Sequence, residues 1–407
     1  MTVIKIVGPQ KPNKSIVNLP GSKSISNRVL IIRSLCKSDF EIFNISNSDD
    51  TIVLNNLLSQ SSTTYDAGHA GTSFRFMTAF LSIKNGVQIL TGSTRMLSRP
   101  IGALVDALTA IGADIEYLGK VGYPPLKIKA FKKQQSKKVT IHANVSSQFI
   151  SALCLIAPCL PDGLEINLEG KIVSKPYVEM TLTIMEDFGI PSFFGDNIIK
   201  ISNQHYVPKN YTVESDWSAA GYFYNIVSML EGARVELGFL SKNSLQGDSE
   251  IAHIGNAFGV CTTFEKDRIV LTNQKKDLKA MNISFLPFPD LAQTVIVLAS
   301  LNNVEFKCSG LDTLTNKETD RILALQQELS KLKVQLRKVQ DAHYEVTGNI
   351  QKTDEIIETF NDHRMAMSFA TIASLFPIKI NEPKVVSKSY PNFWKDLETL
   401  GFKIISQ

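Results

Sequence analysis

Seven short polar blocks concentrate the residues of this chain that could do chemistry, and each sits just ahead of an apolar stretch. GSKSISNR carries Lys23, Ser24 and Arg28; AGTSFR carries Gly71, Thr72 and Arg75; VSSQF carries Ser146, Ser147 and Gln148. VSKPY adds Ser174 and Tyr177, FPD adds Asp290, NKETDR adds Lys317, Glu318 and Arg321, and NDHR adds Asp362, His363 and Arg364. Such blocks suit anion binding. A helix start favours a negative group by about 0.3–1 kcal/mol through its dipole. Arginine adds paired N–H donors that match carboxylate and phosphate oxygens. Several starts acting together would hold a small polyanion bearing both groups. The first block is not a nucleotide P-loop, because Gly-Ser-Lys-Ser lacks the upstream glycine of G-x-x-x-x-G-K-[ST]. One Ser or Asp before a helix is usually a structural cap, and His363 beside Arg364 reads first as a structural histidine. Only the joint pattern points to function.

The blocks need elements to hold them, and a repeat supplies these. Six segments share a polar start and an apolar, Ala/Ser/Phe-rich body: GSKSISNRVLIIRSL, GTSFRFMTAFLS, SSQFISALCLIAP, SDWSAAGYFYNIV, PDLAQTVIVLAS and NDHRMAMSFATIAS. With Ser24, Thr72, Ser147, Asp216, Asp290 and Asp362 as approximate caps, the spacings are 48, 75, 69, 74 and 72 residues. A second helix family runs into Gly112, Gly189, Gly259 and Gly401, with Lys333 in the equivalent slot of KETDRILALQQELSKLKVQL. Short pieces such as VQILTG, LEINLEG, RIVLTN and HYEVTG read as strands. The pattern predicts six α/β units of about 70 residues, the first shortened, in two domains of three. The strand in TVIKIVGPQ precedes the first repeat and could pair with the C-terminal half. The expected domains are residues 20–213, inserted, and residues 1–19 with 214–407, so that helix starts from both halves would face one cleft.

Composition narrows the class. With 407 residues, 43% hydrophobic and 20% charged, the chain reads as an ordinary globular protein. A net charge of +4 is too mild to make nucleic acid a bulk partner. Five scattered cysteines form no C-x-x-C pair and no zinc spacing, which suggests buried reduced thiols in a reducing compartment. MTVIKIVGPQ has neither an apolar signal core nor transit-peptide character, and no run approaches the length of a membrane span. A cytoplasmic protein without a membrane partner is expected.

The blocks LPGSKSISNR, AGTSFR, RMLSRPIGALVDAL, VSSQF, VSKPY, KETDRI and NDHRMAM resemble, in order and across nearly the whole chain, those of the 5-enolpyruvylshikimate-3-phosphate (EPSP) synthase family. The resemblance implies a two-domain inside-out α/β barrel of six βαβαββ units, three per domain. It implies that shikimate 3-phosphate and phosphoenolpyruvate bind between closing domains, with glyphosate as an inhibitor at the phosphoenolpyruvate site. Carried over block by block, Lys23, Ser24 and Arg28 would hold shikimate 3-phosphate, with Ser146, Ser147 and Ser174 on its phosphate and Tyr177 beside its ring. Gln148 would bridge the two substrates, and Asp290 and Lys317 would hold the shikimate hydroxyls. Lys23, Arg99 of LSRP, Arg321, Arg364 and Lys388 of VSKSYP would neutralise phosphoenolpyruvate, with Gly71 leaving backbone room. The substrate hydroxyl adds to C2 of the enol phosphate while C3 gains a proton; phosphate then leaves as C3 loses one. Asp290 suits the hydroxyl proton, Glu318 suits C3, and Lys23 can assist either step. No metal or redox cofactor is required, and a monomer is expected.

The chain departs from the family pattern at His69, usually Asn, at Phe76, commonly Pro, and at Thr313 and Thr315. No charged block is missing, so activity is expected to survive. The sister enzyme acting on UDP-N-acetylglucosamine carries Gly-Ala-Lys-Asn in the first block and a reactive loop cysteine, neither of which is found. An RNA-binding reading lacks a basic stripe with interleaved aromatics, Trp217 and Trp394 falling on helices. A binding protein that has lost catalysis would not need both Asp290 and Glu318.

Overall fold

Alternation in the first strand determines its place. In Val3–Val7, Ile4 and Ile6 are buried while their neighbours are half-buried, as for a strand with one face on a core. In the computed structural model, which describes residues 2–9, 14–144, 146–274 and 276–407, this strand lies antiparallel between Ile378–Asn381 and Lys403–Ser406. The N-terminus thus completes a sheet made by the C-terminus. The chain divides into two compact units, Met1–Pro20 with Glu214–Gln407, and Gly21–Val213.

Within Gly21–Val213 one complete repeat runs strand Thr64–Asp66, helix Gly71–Ile83, strand Val87–Thr91, helix Gly102–Ala110 and hairpin Asp114–Tyr117/Leu126–Lys129. The first two strands pair in parallel and the hairpin strands antiparallel, in the order first, second, fourth, third. The next repeat copies this with Lys138–His142, helix Ser147–Ile156, Leu164–Glu169, helix Lys175–Asp187 and hairpin Phe193–Gly195/Ile198–Ile201. The shortened repeat has helix Lys23–Leu35, strand Ile42–Phe43 and helix Asp49–Ser59; its parallel partner strand Tyr211–Thr212 returns from the end of the unit.

The discontinuous unit holds three four-stranded sheets of the same order. In one, Lys14–Val17 pairs in parallel with Arg234–Gly238, because Gly21–Val213 is inserted between this strand and the repeat's first helix, Trp217–Met229. The other first helices are Ala292–Leu301 and His363–Ala370. Every residue of those two is buried, including the polar Gln293, Thr294, Ser300, His363, Arg364 and Ser368. In the inserted unit the three first helices pack on one another, and in the discontinuous unit Ala292–Leu301 packs on both Trp217–Met229 and His363–Ala370. This is the inside-out α/β arrangement.

The ends of the helices follow local chemistry. Gly112, Gly189, Gly259 and Gly401 all take positive φ just past a second-family helix, and Lys333 does the same at +62°. The caps need correction. Asp216 and Asp362 cap their helices, accepting from Ala219 N and Arg364 N. Ser22 rather than Ser24 caps the first helix, and Ser146 rather than Ser147 caps Ser147–Ile156. Ala70, with no side-chain bond, precedes Gly71–Ile83, so Thr72 lies inside the first turn. Asp290 lies in a tight turn, Pro289–Leu291, ahead of its helix and makes no cap bond. In each case the helix start differs by one or two residues, which turns the expected cap's side chain away from the amides. Among the described residues no helix is long and apolar enough to cross a membrane.

Candidate active site

In the discontinuous unit an arginine organises the acids. Asp320 caps helix Arg321–Lys331 by accepting from Ile322 N and Leu323 N, both at 3.1 Å, which places Arg321 at the first helical position. Its guanidinium, 2% exposed, donates from Nε to Asp362 Oδ2 at 2.7 Å, from Nη2 to Glu318 Oε2 at 2.9 Å and from Nη1 to Asp290 Oδ1 at 3.4 Å. Burial alone would lower its proton affinity, but Asp362, Glu318 and Asp290 outweigh that and hold it above the ordinary arginine value. Arg364 donates to Asp290 twice, from Nη2 to Oδ2 at 2.9 Å and from Nη1 to the main-chain oxygen at 3.0 Å. Lys317 Nζ lies 3.5 Å from Asp290 Oδ1, and Lys388 Nζ 3.5 Å from Glu318 Oε1. Burial pulls the Lys317 ammonium below its ordinary value, with Asp290 opposing and Arg321 adding to the effect.

The acids are thus held differently. Asp362 is fully buried and accepts Arg321 and the Arg364 amide, so it is structural. Asp290 and Glu318 keep exposed edges, 22% and 12%, while cations fix their oxygens. Carboxylates with one open edge and a fixed orientation suit proton transfer. His363, 1% exposed with Nδ1 3.8 Å from Asp362 Oδ1, is a core histidine.

In the inserted unit two of the cations lie on the helix Lys23–Leu35. Lys23, the first residue of its helix, sits 3.5 Å from Asp50 Oδ2. Arg28 lies deeper, donating to Thr181 Oγ1 at 2.7 Å, Ser24 O at 2.8 Å, and Ser151 Oγ and Tyr177 O at 3.1 Å each. Burial lowers it to about 10. Four of its five N–H groups are committed to the protein. Its main work is therefore to tie the helix of Ser24 to the helix of Tyr177, and these bonds leave one N–H uncommitted. Phe76 lies beneath it, the ring centroid 5.5 Å from Cζ, so the departure at this position supplies a cation–π contact.

Gly71 is a close approach. A Cβ there would stand 2.4 Å from Arg99 Nη1 and 2.8 Å from Arg75 Nη1. Arg75 donates to Gly71 O at 2.9 Å. Arg99 is 8% exposed; its amide bonds Met96 O at 3.0 Å, but its guanidinium makes no hydrogen bond or ion pair among the described residues. A nearly buried, uncompensated cation is costly. Gln148 Nε2 donates to Thr72 Oγ1 at 3.0 Å, joining two helix starts. Ser146 Oγ caps, whereas the Ser147 and Ser174 side chains, 8% and 7% exposed as residues, make no hydrogen bond among the described residues. Ser174 itself takes left-handed backbone angles, φ 57° and ψ 40°, ahead of Lys175–Asp187. Tyr177 occupies the first turn of that helix, its amide bonded to Ser174 O at 3.0 Å.

The structure therefore gathers Asp290, Lys317, Glu318, Arg321, Arg364 and Lys388 into one cluster. Gly71 and Arg99 form a second group, and Gln148 a link between helix starts, in the other unit. Lys317 and Arg321 are not neighbours on one helix, since the helix begins at Arg321; both turn to Asp290 instead. Three participants escaped the sequence reading: Asp50 beside Lys23, and Ser218 and Asp248 behind Arg364. The serine follows an Asp216 cap that could have flagged it, whereas Asp248 in LQGDSE reads as a turn residue. His69 Nδ1 lies 2.8 Å from Ser93 Oγ, so the histidine holds the glycine loop through a side-chain bond. Of the threonines, Thr315 donates to Asp312 O at 3.1 Å, and Thr313 Oγ1 has no partner among the described residues. The expectation of buried thiols fails at Cys159, which is exposed, while Cys154 and Cys308 are buried.

The sequence and the fold both match those of a known family. The profile described as EPSP synthase (3-phosphoshikimate 1-carboxyvinyltransferase) matches residues 53–397. A 3-phosphoshikimate 1-carboxyvinyltransferase of Bacteroides fragilis (strain YCH46) is 44% identical over 395 residues, 96% of each chain. One from Vibrio campbellii is 34% identical over 416 residues, covering 95% of this chain and 96% of the relative. The solved EPSP synthase of Acinetobacter baumannii superposes with a TM-score of 0.82 over the full length of both chains; at 20% identity it speaks for the fold. The chain belongs to the EPSP synthase (3-phosphoshikimate 1-carboxyvinyltransferase) family.

Proposed function

We propose that the chain transfers the enolpyruvyl group of phosphoenolpyruvate to the 5-hydroxyl of shikimate 3-phosphate, giving 5-enolpyruvylshikimate 3-phosphate and inorganic phosphate for aromatic amino acid biosynthesis. Family membership supports the reading, and one observation carries it. Asp290 and Glu318 are the open-edged acids of a cluster otherwise made of Lys317, Arg321, Arg364 and Lys388.

The chemistry uses these groups as follows. Asp290 takes the hydroxyl proton as oxygen adds to C2. Glu318 serves C3, which gains a proton on addition and loses one as phosphate departs, and Lys23 assists either step. Arg99, Arg321, Arg364, Lys388 and Lys23 neutralise phosphoenolpyruvate beside Gly71, and the unpartnered Arg99 supports this assignment. Ser24, Ser146, Ser147 and Ser174 hold shikimate 3-phosphate with Lys317 and the remaining donor of Arg28, Tyr177 packs on its ring, and Gln148 bridges. Glyphosate occupies the phosphoenolpyruvate site, since Gly71 is unsubstituted. All the proposed groups lie on one polypeptide, which is consistent with a monomer, and scattered free cysteines suit the cytoplasm.

The test is phosphate release from purified protein given shikimate 3-phosphate and phosphoenolpyruvate, with UDP-N-acetylglucosamine as the competing acceptor. Release with the first acceptor alone supports the assignment. Release only with the second assigns the sister reaction, and release with neither removes the proposed activity.

A further inference from the structure

We propose that Asp248 is a positioning residue for Arg364: through the Ser218 hydroxyl it sets how the guanidinium is shared between Asp290 and an anionic substrate. The inference rests on the enolpyruvyl-transfer reading above and extends it to a residue that touches neither substrate.

Asp248 lies in the turn Gly247–Glu250 that leads into helix Ile251–Ala257, and it is 2% exposed. Its Oδ2 accepts the Ser218 hydroxyl, and its Oδ1 has no hydrogen-bond partner among the described residues. A carboxylate so placed is expensive to keep charged. Ser218, the second residue of Trp217–Met229, also accepts from Arg364 Nη2 at 3.4 Å. A hydroxyl donates once and accepts at its lone pairs, so one serine joins an acid to a guanidinium. Arg364 Nη2 also reaches Asp290 Oδ2, at 2.9 Å. The same nitrogen therefore stands between a chain leading to a buried acid and an acid with an open edge.

The charged groups facing Asp248 are Asp290, Arg364 and Asp216, with the Ser218 hydroxyl. Burial, reinforced by Asp290, pushes its carboxyl up to about 7, while Arg364 and the Ser218 bond pull it down. Around neutral pH Asp248 therefore changes charge. Ionised, it draws on Arg364 in competition with a substrate anion. Protonated, it still accepts from Ser218 but leaves the positive charge to Asp290 and the substrate.

Asp248→Asn separates the two contributions, because the amide can keep the Ser218 bond and carries no charge. The readout is the ratio of wild-type to Asp248→Asn KM for phosphoenolpyruvate between pH 5.5 and 8.5, in which titration of the substrate's own phosphate cancels. That ratio should rise about tenfold through neutrality, the worth of roughly one charge-assisted hydrogen bond. Ser218→Ala, which cuts the link, should flatten the same profile, and a Ser218→Ala profile as steep as that of the wild type would count against the proposal. An Asp248→Asn protein with unchanged tryptophan fluorescence and a flat ratio would overturn the proposal, since a merely structural acid moves stability without moving this profile. A second readout needs no turnover: the 15N resonances of the Arg364 guanidinium should titrate near neutrality in the wild type and stay still in Asp248→Asn. Absence of that titration in a folded wild type overturns the inference. Its presence in a protein that does not turn over instead removes the enolpyruvyl-transfer reading.

Discussion

Replacing Arg321 with Met tests the cluster most sharply. The side chain is 2% exposed and bridges Asp362, Glu318 and Asp290 at 2.7, 2.9 and 3.4 Å. Methionine fills similar volume but strands Asp362, which is fully buried and would keep the Arg364 amide and His363 Nδ1 at 3.8 Å but no arginine side chain. Removing one partner of a buried ion pair costs about 3–5 kcal/mol. For a unit of this size that corresponds to a fall of roughly 6–20 °C in Tm. The assay is unusually clean, because both tryptophans, Trp217 and Trp394, belong to the discontinuous unit that holds Arg321. Their fluorescence in urea reports that unit alone. The exposed pair Lys307–Glu305, at 3.9 Å and more than half exposed on both sides, is the control; Lys307→Ala should cost below about 1 kcal/mol. Joining Arg321→Met with Asp362→Leu should restore part of the loss, with a coupling above about 1 kcal/mol. An Arg321→Met loss no larger than that of Lys307→Ala would refute the reasoning.

Other outcomes follow from the same contacts. Arg99→Ala should leave thermal stability nearly unchanged, since no protein group among the described residues loses a partner, yet raise KM for phosphoenolpyruvate by about 10–100-fold, which steady-state kinetics would show. Gly71→Ala should raise the same KM, because its Cβ would displace an Arg99 nitrogen 2.4 Å away; an unchanged KM would detach Arg99 from the anion. Asp290→Asn and Glu318→Gln should each cut turnover about 10²–10⁴-fold while calorimetry shows smaller losses in substrate binding; the reverse balance would make them anchors. Stability should also depend on Asp248. Its folded pKa, raised to about 7, exceeds the unfolded value near 3.8, so the folded state binds the extra proton between them. Raising pH through that window should destabilise the unit by at most about 4 kcal/mol, and urea titrations of Asp248→Asn should show a flatter dependence.

The repeat was legible because both of its ends are chemically marked. Glycine past each second helix and a polar residue near each first helix reflect backbone requirements that any sequence must meet, and Lys333 shows the slot persisting without glycine. The exact caps were not legible, since Ser22 and Ser24, or Ser146 and Ser147, are equally able and only the first turn's register chooses between them. The helix Asp49–Ser59, which brings Asp50 to Lys23, has a Ser48 cap that went unused in the sequence reading. Asp248 illustrates a deeper limit. Its partner Ser218 is 30 residues distant and its burial comes from tertiary packing, so nothing local distinguishes it from an exposed turn acid. Arg28 shows the converse: residue type marked it as a ligand group, but its four protein acceptors appear only once the helices are packed.

The most direct measurement runs the reaction in D2O and follows it by 31P and 1H NMR with shikimate 3-phosphate and phosphoenolpyruvate. Addition places deuterium at C3, and elimination then removes either isotope. The account predicts inorganic phosphate and 5-enolpyruvylshikimate 3-phosphate in equal amounts, with deuterium in the product's methylene. Phosphate without the enol ether, or an enol ether free of deuterium, would contradict it.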